Sequence, residues 1–219
     1  MNDSPLKEFL SSCYKNVNFM IGFIIVLSII ILAIFADQIA PYGYDEAHPQ
    51  DILVGPSSQY LFGTDNMGRD LFSRIVYGTR ITLKVALIGA GLELILGVTI
   101  GLICGYFGGF WDRALTFIAD MTWCIPGMIM ALAVVTIIGS GLTNAIIAIA
   151  LVGWASYARM VRAKTMSIKN QAFIETGISF GESSPSIMFR NILPNIIPVL
   201  IVTISMELPG IVMSTTTLS

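Results

Sequence analysis

Charged residues are scarce in this chain of 219 residues. Asp, Glu, Lys and Arg together make up 12% of it, whereas 55% of the residues are hydrophobic and the mean hydropathy is +0.79. A soluble globule of this length needs more polar surface than such a composition supplies, so the sequence predicts a polytopic membrane protein. The formal net charge is −2 and no basic cluster is interleaved with aromatic residues, which argues against nucleic-acid binding.

Residues that ligate metals or act as nucleophiles are also few. The cysteines Cys13, Cys104 and Cys124 form no CxxC pair, and the single histidine, His48, cannot make a metal site by itself. The sequence has no Gly-x-x-x-x-Gly-Lys-Ser/Thr loop and no serine, cysteine or carboxylate in a nucleophile or metal motif. We therefore expect no enzymatic activity, metal or cofactor in this chain.

Long apolar stretches begin near the N-terminus. Residues 16–36 carry no charge over 21 positions, and about 20 are needed to cross a bilayer. Residues 85–111 are charge-free except for Glu93, a carboxylate that is unusual inside a span. Glycines at 97, 101 and 105 recur every four residues, which predicts that a neighbouring helix packs closely against this second span.

The second half of the chain predicts three more spans. Residues 114–158 are too long for one span and contain Gly139-Ser-Gly141 near the middle, so we expect a hairpin of two. Pro126 should kink the first of these helices, because proline removes a backbone hydrogen bond. Residues 192 to about 206 complete the set of five.

These patterns divide the chain into segments. The sequence predicts an N-terminal segment at 1–16, a first transmembrane helix at 17–36, an external polar segment at 37–80 and a transmembrane core at 81–219. The end of the external segment should form a helix lying at the membrane interface. The apolar face predicted for that helix comprises Leu71, Phe72, Ile75 and Val76.

A long polar interval at 159–194 interrupts the core. It is too polar for hydrocarbon and too short for a domain, so it is interpreted as a docking loop of two short helices. Residues 171–178 are predicted to form the first helix, after which Gly177 and Gly181 allow the chain to reverse. Ser184 is expected to cap the second helix with its hydroxyl, ahead of Pro185.

This interval carries a family resemblance. Phe173-Ile-Glu-Thr-Gly-Ile-Ser-Phe-Gly181, followed by Ile192-Leu-Pro194, resembles the cytoplasmic coupling motif of ABC-importer permeases, although Thr176 and Gly177 replace its two alanines. The resemblance implies that the loop lies in a groove of a separate ATPase subunit. The residues expected to couple to that subunit are Phe173, Ile174, Glu175, Thr176, Gly177, Gly181, Ile187, Arg190, Leu193 and Pro194. Of these, Phe173, Ile174 and Ile187 are expected to fill the groove.

A second resemblance lies in the external segment. Phe62-Gly-Thr-Asp-Asn-Met-Gly-Arg-Asp70 resembles the Leu-Gly-Thr-Asp-x-x-Gly-Arg-Asp signature of the dipeptide, oligopeptide and nickel branch of these permeases, and six of the seven specified positions match. Asp112-Arg113, Asp120 and Pro126 resemble the family pattern in the third span. The implied fold is all-α, the transmembrane helical bundle of type I ABC importer permeases, with five spans in this sequence and a sixth expected beyond residue 219.

The resemblance also implies a function and partners. It implies a permease subunit that forms half of a translocation pathway for di- or oligopeptides, with nickel or glutathione as alternative cargo. The implied partners are a second permease, two subunits that bind ATP and Mg²⁺, and an extracytoplasmic substrate-binding protein. The candidate pathway-lining residues, chosen for polarity or polarisability, are Met121, Trp123, Met128, Met130, Met206 and Glu207.

The distribution of basic residues favours one orientation. Lys7 and Lys15 lie near the N-terminus, and five more basic residues lie from Arg159 to Arg190, so both regions are expected in the cytoplasm, and the resemblance implies the inner membrane of a bacterium. Two rival classes remain open. A secondary transporter would use Glu93, Asp120 and Glu207 as a proton relay and would show inverted repeats, whereas an intramembrane enzyme would need paired acids or an activated serine.

Overall fold

The computed structural model describes residues 15–218, and its regular elements are helical. They are α1 (Val17–Ile34), α2 (Ala36–Ile39), α3 (Leu71–Phe107), α4 (Gly109–Cys124), α5 (Gly127–Ile138), α6 (Leu142–Lys169), α7 (Ala172–Ser179), α8 (Ser184–Ser186), a π-helix at Ile187–Ile192, and α9 (Leu193–Leu218). The only β-pairing among residues 15–218 is two isolated bridges, Ala47 with Arg69 and Thr64 with Asp70. The predicted all-α fold is confirmed.

Four helices are long and apolar enough to cross a membrane. They are Val17–Ile34, Leu71–Phe107, Leu142–Lys169 and the continuous run Ser184–Leu218. The pair α4 and α5 meets the same criterion together but is bent by 94°, so the described residues provide four spans, or five if the bent pair is one.

The bend between α4 and α5 has a local cause. Ile125 has an extended backbone with φ −101° and ψ 130°, the conformation that a following proline imposes on its neighbour. Pro126 then begins α5 as its N-cap. The predicted kink at Pro126 is therefore confirmed, and it amounts to a complete break in the helix.

The chain forms two compact units, with the boundary between Lys84 and Val85. In the first unit, Arg80 connects the start of α3 to the end of α1. Its Nε donates to the carbonyl oxygen of Ala33 at 2.9 Å, and its Nη2 lies 3.1 Å from the Asp37 carboxylate. The hydrogen bond from Arg80 lowers the pKa of Asp37 below its usual value.

The predicted interfacial helix is not a separate element, because α3 runs unbroken from Leu71 to Phe107. Its predicted apolar face is also wrong in part. Ile75 is 56% exposed whereas Ser73 is fully buried. Burial of Ser73 is tolerated because its hydroxyl donates to Asp70 at 2.6 Å and accepts from the backbone N–H of Tyr42 at 3.2 Å.

In the second unit, α3 packs against α6 through the predicted glycine stripe. A Cβ atom at Gly97 would overlap Tyr157, and one at Gly101 would lie 2.6 Å from the carbonyl oxygen of Ala158. At Gly105 the added atom would lie 2.6 Å from Cβ of Thr165. The absence of side chains at these three positions is therefore what allows the two backbones to approach, as the four-residue spacing predicted.

The main core of this unit forms around α6 and the loop that follows it. Tyr157, Val161 and Leu102 are almost completely buried there. The loop and α9 contribute four fully buried isoleucines to the same cluster, namely Ile174, Ile187, Ile192 and Ile196. The interval at 159–194 is thus part of the folded core on one side.

The last helix is longer than the sequence predicted. The expected span ended near residue 206, whereas α9 continues to Leu218 with Pro198 and Pro209 inside it. Proline lacks an N–H, so the carbonyl groups of Pro194 and Ser205, four residues earlier, have no backbone donor at the usual helical position. Membrane helices tolerate such gaps when neighbouring polar groups or water compensate.

Candidate functional site

The polar loop after α6 reverses at a single glycine. Gly181 has φ +78°, which is readily accessible only to glycine, and lies in the turn that joins α7 to α8. The sequence also assigned Gly177 to this reversal, which is wrong, because Gly177 lies within α7.

The role of Gly177 is to make room for Glu182. A Cβ atom at Gly177 would lie 2.8 Å from the carboxylate of Glu182. That carboxylate accepts hydrogen bonds from the hydroxyl of Ser186 at 2.6 Å and from the amide of Asn191 at 2.9 Å. Glu182 therefore fastens the end of α7 to the π-helix. Glu182 was not among the residues predicted for this loop, because its only local signal is an acidic side chain directly after the turn glycine.

The second loop helix begins one residue earlier than predicted. Its N-cap is Ser183, which makes no side-chain capping hydrogen bond, so the expected cap by the Ser184 hydroxyl is wrong. Pro185 lies in the first turn, as expected. The helix then widens into the π-helix at Ile187–Ile192, a geometry often found at functional positions.

Two residues expected to fill a partner's groove are unavailable for that role. Ile174 and Ile187 are 0% exposed and belong to the chain's own core. Leu193 is partly buried against the same core. They support the loop from within, because an apolar side chain that is already excluded from water gains nothing from a partner.

The exposed side of the loop is formed by other residues. Phe173 is about half exposed and Phe180 is 86% exposed, and Ile178 and Phe189 are exposed too. Glu175 and Arg190 are exposed as well, and within residues 15–218 neither side chain forms an ion pair. We call these six residues the exposed loop surface. Thr176 and Pro194 are also exposed.

Sequence analysis left Ile178, Phe180 and Phe189 out of the coupling set. Phe180 follows Phe173 by seven residues, or two helical turns, so the helical period could have identified it. The same period does not say which apolar side of a short helix faces its own core.

Two arginines of α6 hold α4 in place. Arg162 makes a two-point contact with Asp112 through Nε and Nη2, the second at 2.7 Å, and the arginine and aspartate side chains are 30% and 18% exposed. Arg159 pairs with Asp120 at 2.8 Å and lies 4.4 Å above the ring of Trp123. Asp112 and Asp120, which carry part of the family resemblance, are thus positioned by contacts with the helix that leads into the loop.

The external signature motif at residues 62–70 is stabilised by hydrogen bonds within itself. Asp65 accepts hydrogen bonds from the backbone N–H groups of Met67 and Arg69 at 2.8 and 3.0 Å, and from Nε of Arg69 at 2.9 Å. Burial alone would raise the pKa of Asp65, but these hydrogen bonds and the positive charge of Arg69 outweigh it and lower the pKa below its usual value. Gly68, with φ +74°, packs directly on the backbone of His48.

The aromatic residues of this segment are ordered by the same contacts. His48 lies between the rings of Tyr42 and Tyr60, with centroid distances of 5.2 and 6.1 Å. The hydroxyl of Tyr60 donates to Asp51 at 2.8 Å, and burial together with that carboxylate raises the pKa of Tyr60 to about 12. The part of the chain that the structure describes contains no group of three His, Cys, Asp or Glu residues able to hold a metal.

A cavity of about 280 Å³ lies in the second unit between α3, α5, α6 and α9. Glu93 and Glu207 both line it, together with Met128, Ser156 and Ser214. Its remaining lining residues are small or aliphatic: Gly127, Ala131, Ile149, Val152, Gly153, Gly210 and Ile211.

The predicted pathway residues fall into two groups. Met128 and Glu207 line the cavity. The other four do not: Met121, Trp123 and Met206 are more than half exposed on the surface of the chain, and Met130 is partly buried. Glu93 was noted in the sequence as an unusual charge in a span but was left out of the predicted pathway residues, and its place beside Glu207 in the cavity depends on how α3 and α9 pack.

Comparisons with known proteins agree with this architecture. Residues 97–219 match the family model described as binding-protein-dependent transport system inner membrane component, and residues 4–56 match the N-terminal TM domain of oligopeptide transport permease C. The chain is 40% identical over 199 residues to the dipeptide transport system permease protein DppC of Alkalihalophilus pseudofirmus, covering 91% of this chain and 66% of that protein. It is 37% identical over 217 residues to the glutathione transport system permease protein GsiD of Escherichia coli O6:K15:H31. This match covers 99% of this chain and 72% of that protein.

The chain thus spans about two thirds of the length of the first of these relatives and somewhat more of the second. The family match alone covers more than half of the chain. Composition, helical architecture and both matches agree that this is a multi-pass protein of the inner membrane. It belongs to the family of binding-protein-dependent transport system inner membrane components.

Proposed function

We propose that this chain forms half of the translocation pathway of an ATP-driven peptide importer. The relatives named above are a dipeptide permease and a glutathione permease, and glutathione is itself a tripeptide. Peptide cargo is therefore favoured over a nickel chelate. A second permease of similar fold supplies the other half of the pathway, and an extracytoplasmic binding protein delivers the cargo.

The energy for transport enters from partner subunits. The chain has no nucleotide-binding motif, so two ATP-binding subunits hold ATP and Mg²⁺ and engage the loop at 159–194. The observation that carries this proposal is the exposed loop surface. Its apolar members Phe173, Ile178, Phe180 and Phe189 remain in water while the opposite side of the same loop is buried in the core. Exposed apolar groups beside unpaired charges are typical of protein interfaces.

The loop is built to pass movement on to the membrane. Glu182 connects the end of α7 to the π-helix, and the run from Ser184 to Leu218 has no interruption. A displacement of α7 is therefore transmitted through the π-helix to α9, which lines the cavity with Glu207. Closure of the two ATP-binding subunits would supply that displacement.

Replacement of Phe180 by aspartate tests the docking surface. We expect Phe180→Asp to weaken binding of the ATP-binding subunit to the permease by about tenfold in dissociation constant, or about 1.4 kcal/mol, and so to lower the amount that co-purifies. The matched control is Leu61→Asp, which places the same charge on an exposed apolar residue in the external segment. Membrane insertion of both variants should be unchanged. Equal recovery of the ATP-binding subunit with Phe180→Asp and Leu61→Asp would contradict the proposal.

A further inference from the structure

Glu93 is an acid with no hydrogen-bonding or oppositely charged partner among the described residues. Glu93 is 3% exposed, and its side chain forms no hydrogen bond or ion pair with any residue from 15 to 218. A Cβ atom at Gly153 would overlap its carboxylate, so the glycine is what leaves space for the acid. A carboxyl group buried without a counter-charge is costly to ionise, so a cation that reaches Glu93 would be strongly favoured there.

Three further polar groups of α6 and α9 also lack partners among the described residues. The hydroxyl of Tyr157, which follows the cavity-lining Ser156 on α6, is buried and has no hydrogen-bond partner in the described chain. Ser156 and Ser214 line the cavity, and neither hydroxyl bonds to a described residue.

Ser214 differs from its hydroxyl-bearing neighbours on α9. Thr203, Ser205, Thr215 and Thr217 each donate to the carbonyl oxygen four residues earlier. Ser214 makes no such bond, although it lies on the same helix. Its hydroxyl is therefore available to the contents of the cavity.

From this arrangement we infer that the Glu93–Glu207 cavity binds a primary ammonium group. Both acids line the cavity, Glu207 with an exposed side chain and Glu93 with a buried one, so a cation in the cavity is attracted by two carboxylates. An ammonium donates three hydrogen bonds, which the carboxylates and serine hydroxyls can accept. The aliphatic walls formed by Ile149, Val152 and Ile211 suit the carbon atoms attached to the nitrogen.

An organic cation fits better than a bare metal ion. The described residues provide no group of three His, Cys, Asp or Glu side chains, and the volume of about 280 Å³ exceeds the space of a single ion. It is close to the lower end of the range for pockets that hold small organic ligands. If the proposed peptide cargo is correct, the inference specifies which part of the cargo this subunit recognises, namely a free amino group.

Cysteine modification measures the site without transport. Ser214→Cys is introduced into the complete transporter after replacement of Cys13, Cys104 and Cys124, and its reaction rates with the cation 2-aminoethyl methanethiosulfonate and with neutral methyl methanethiosulfonate are compared. Because the two acids attract a cation, the cationic reagent should react about tenfold faster than the neutral one. Glu207→Gln should remove most of this difference in rate. Because Glu207 is exposed, this variant is readable even if Glu93→Gln does not fold. Asp45→Asn, which neutralises an external carboxylate that is 75% exposed, should leave the ratio unchanged.

Protection experiments identify the ligand. Trialanine and n-propylamine should slow the reaction at position 214, whereas N-acetyl-trialanine should not. The inference would be overturned if neither Glu207→Gln nor Glu93→Gln changed the ratio of the cationic to the neutral reaction rate. It would also be overturned if NaCl or MgCl₂ protected position 214 as well as trialanine and n-propylamine do. A basic residue of the second permease that blocks the cysteine at position 214 would overturn it too. Peptide uptake measured on the same preparation separates failure of this site from failure of the proposed function, because the modification needs neither ATP nor cargo.

Discussion

Single residues decide how the loop and the external segment are held. Glu182 lies in the turn after α7 and connects it to α8 and the π-helix by hydrogen bonds with Ser186 and Asn191, four and nine residues further along. The sequence could not predict this contact, because it depends on where the turn and the π-helix place the three side chains. Ile174 and Ile187 illustrate the same limit: their apolar character was evident, but whether they face the core or a partner is decided by tertiary packing.

Removal of the Glu182 carboxylate should loosen the loop. Glu182→Ala leaves the Asn191 amide without its acceptor, which costs about 1–3 kcal/mol for a buried group and less for one that is half-buried. Hydrogen exchange across residues 172–192 should accelerate. Glu175→Ala is the control, because the Glu175 side chain is exposed and unpaired among the described residues. Similar exchange in the two variants would show that Glu182 does not fasten the loop.

The external segment should lose order in acid. The pKa of Asp65 is lower in the folded protein than its usual value of 3.8, so its contribution to stability is complete above that value and is lost as the pH falls through the lower, folded pKa. Proteolysis within residues 45–70 should therefore increase below about pH 4. Asp65→Asn should be cleaved faster at neutral pH and show a weaker response to acid. Unchanged cleavage of the wild-type chain at low pH would contradict this role.

At the scale of helices, regular spacing was the most informative feature of the sequence. The period of four at Gly97, Gly101 and Gly105 predicted a close helix contact, and α6 provides it. The sequence predicted a helix at residues 71–76 but not that it continues unbroken into the second span, and the start of α3 is fixed by the Asp70 carboxylate, which accepts from the backbone N–H of Ser73. The break at Pro126 was predictable in position but not in size, since a proline permits both kinks and complete breaks.

A methyl group on the glycine stripe should push two helices apart. In Gly101→Ala the new atom would lie 2.6 Å from the carbonyl oxygen of Ala158 and 2.7 Å from Cβ of Val161. Overpacking of this kind costs about 1–3 kcal/mol, so the thermal midpoint in detergent should fall. Gly91→Ala is a matched control on the same helix, because nothing lies within 4 Å of its added atom. Its greater helix propensity should leave the midpoint unchanged or raise it.

For the whole molecule, composition was sufficient to predict a multi-pass helical protein. The scarcity of charge and the long apolar runs require an environment other than water, and the helical spans follow from that. The cavity was not predictable, because it combines residues from four helices that are more than 100 positions apart at the extremes. Only Met128 and Glu207 of the predicted pathway residues belong to it.

The orientation proposed from basic residues can be measured by labelling. In the permease prepared without ATP-binding subunits, a single cysteine in place of Phe180 should react with a membrane-impermeant maleimide in inside-out vesicles and remain unreactive in sealed right-side-out vesicles. Leu53→Cys should show the opposite pattern, because Leu53 is an exposed residue of the external segment. Labelling of position 180 from outside would refute both the orientation and the proposed docking of ATP-binding subunits.

Pro198 and Pro209 give the final helix an uneven stiffness. Each leaves one carbonyl without its amide donor, and the two gaps are eleven residues apart, or about 16 Å along the axis. A rotation of the helix applied at Ser184 is therefore absorbed mainly near these two prolines. Because Glu207 lies two residues before Pro209, we expect this rotation to move its carboxylate. The residues beyond Pro209 should move much less.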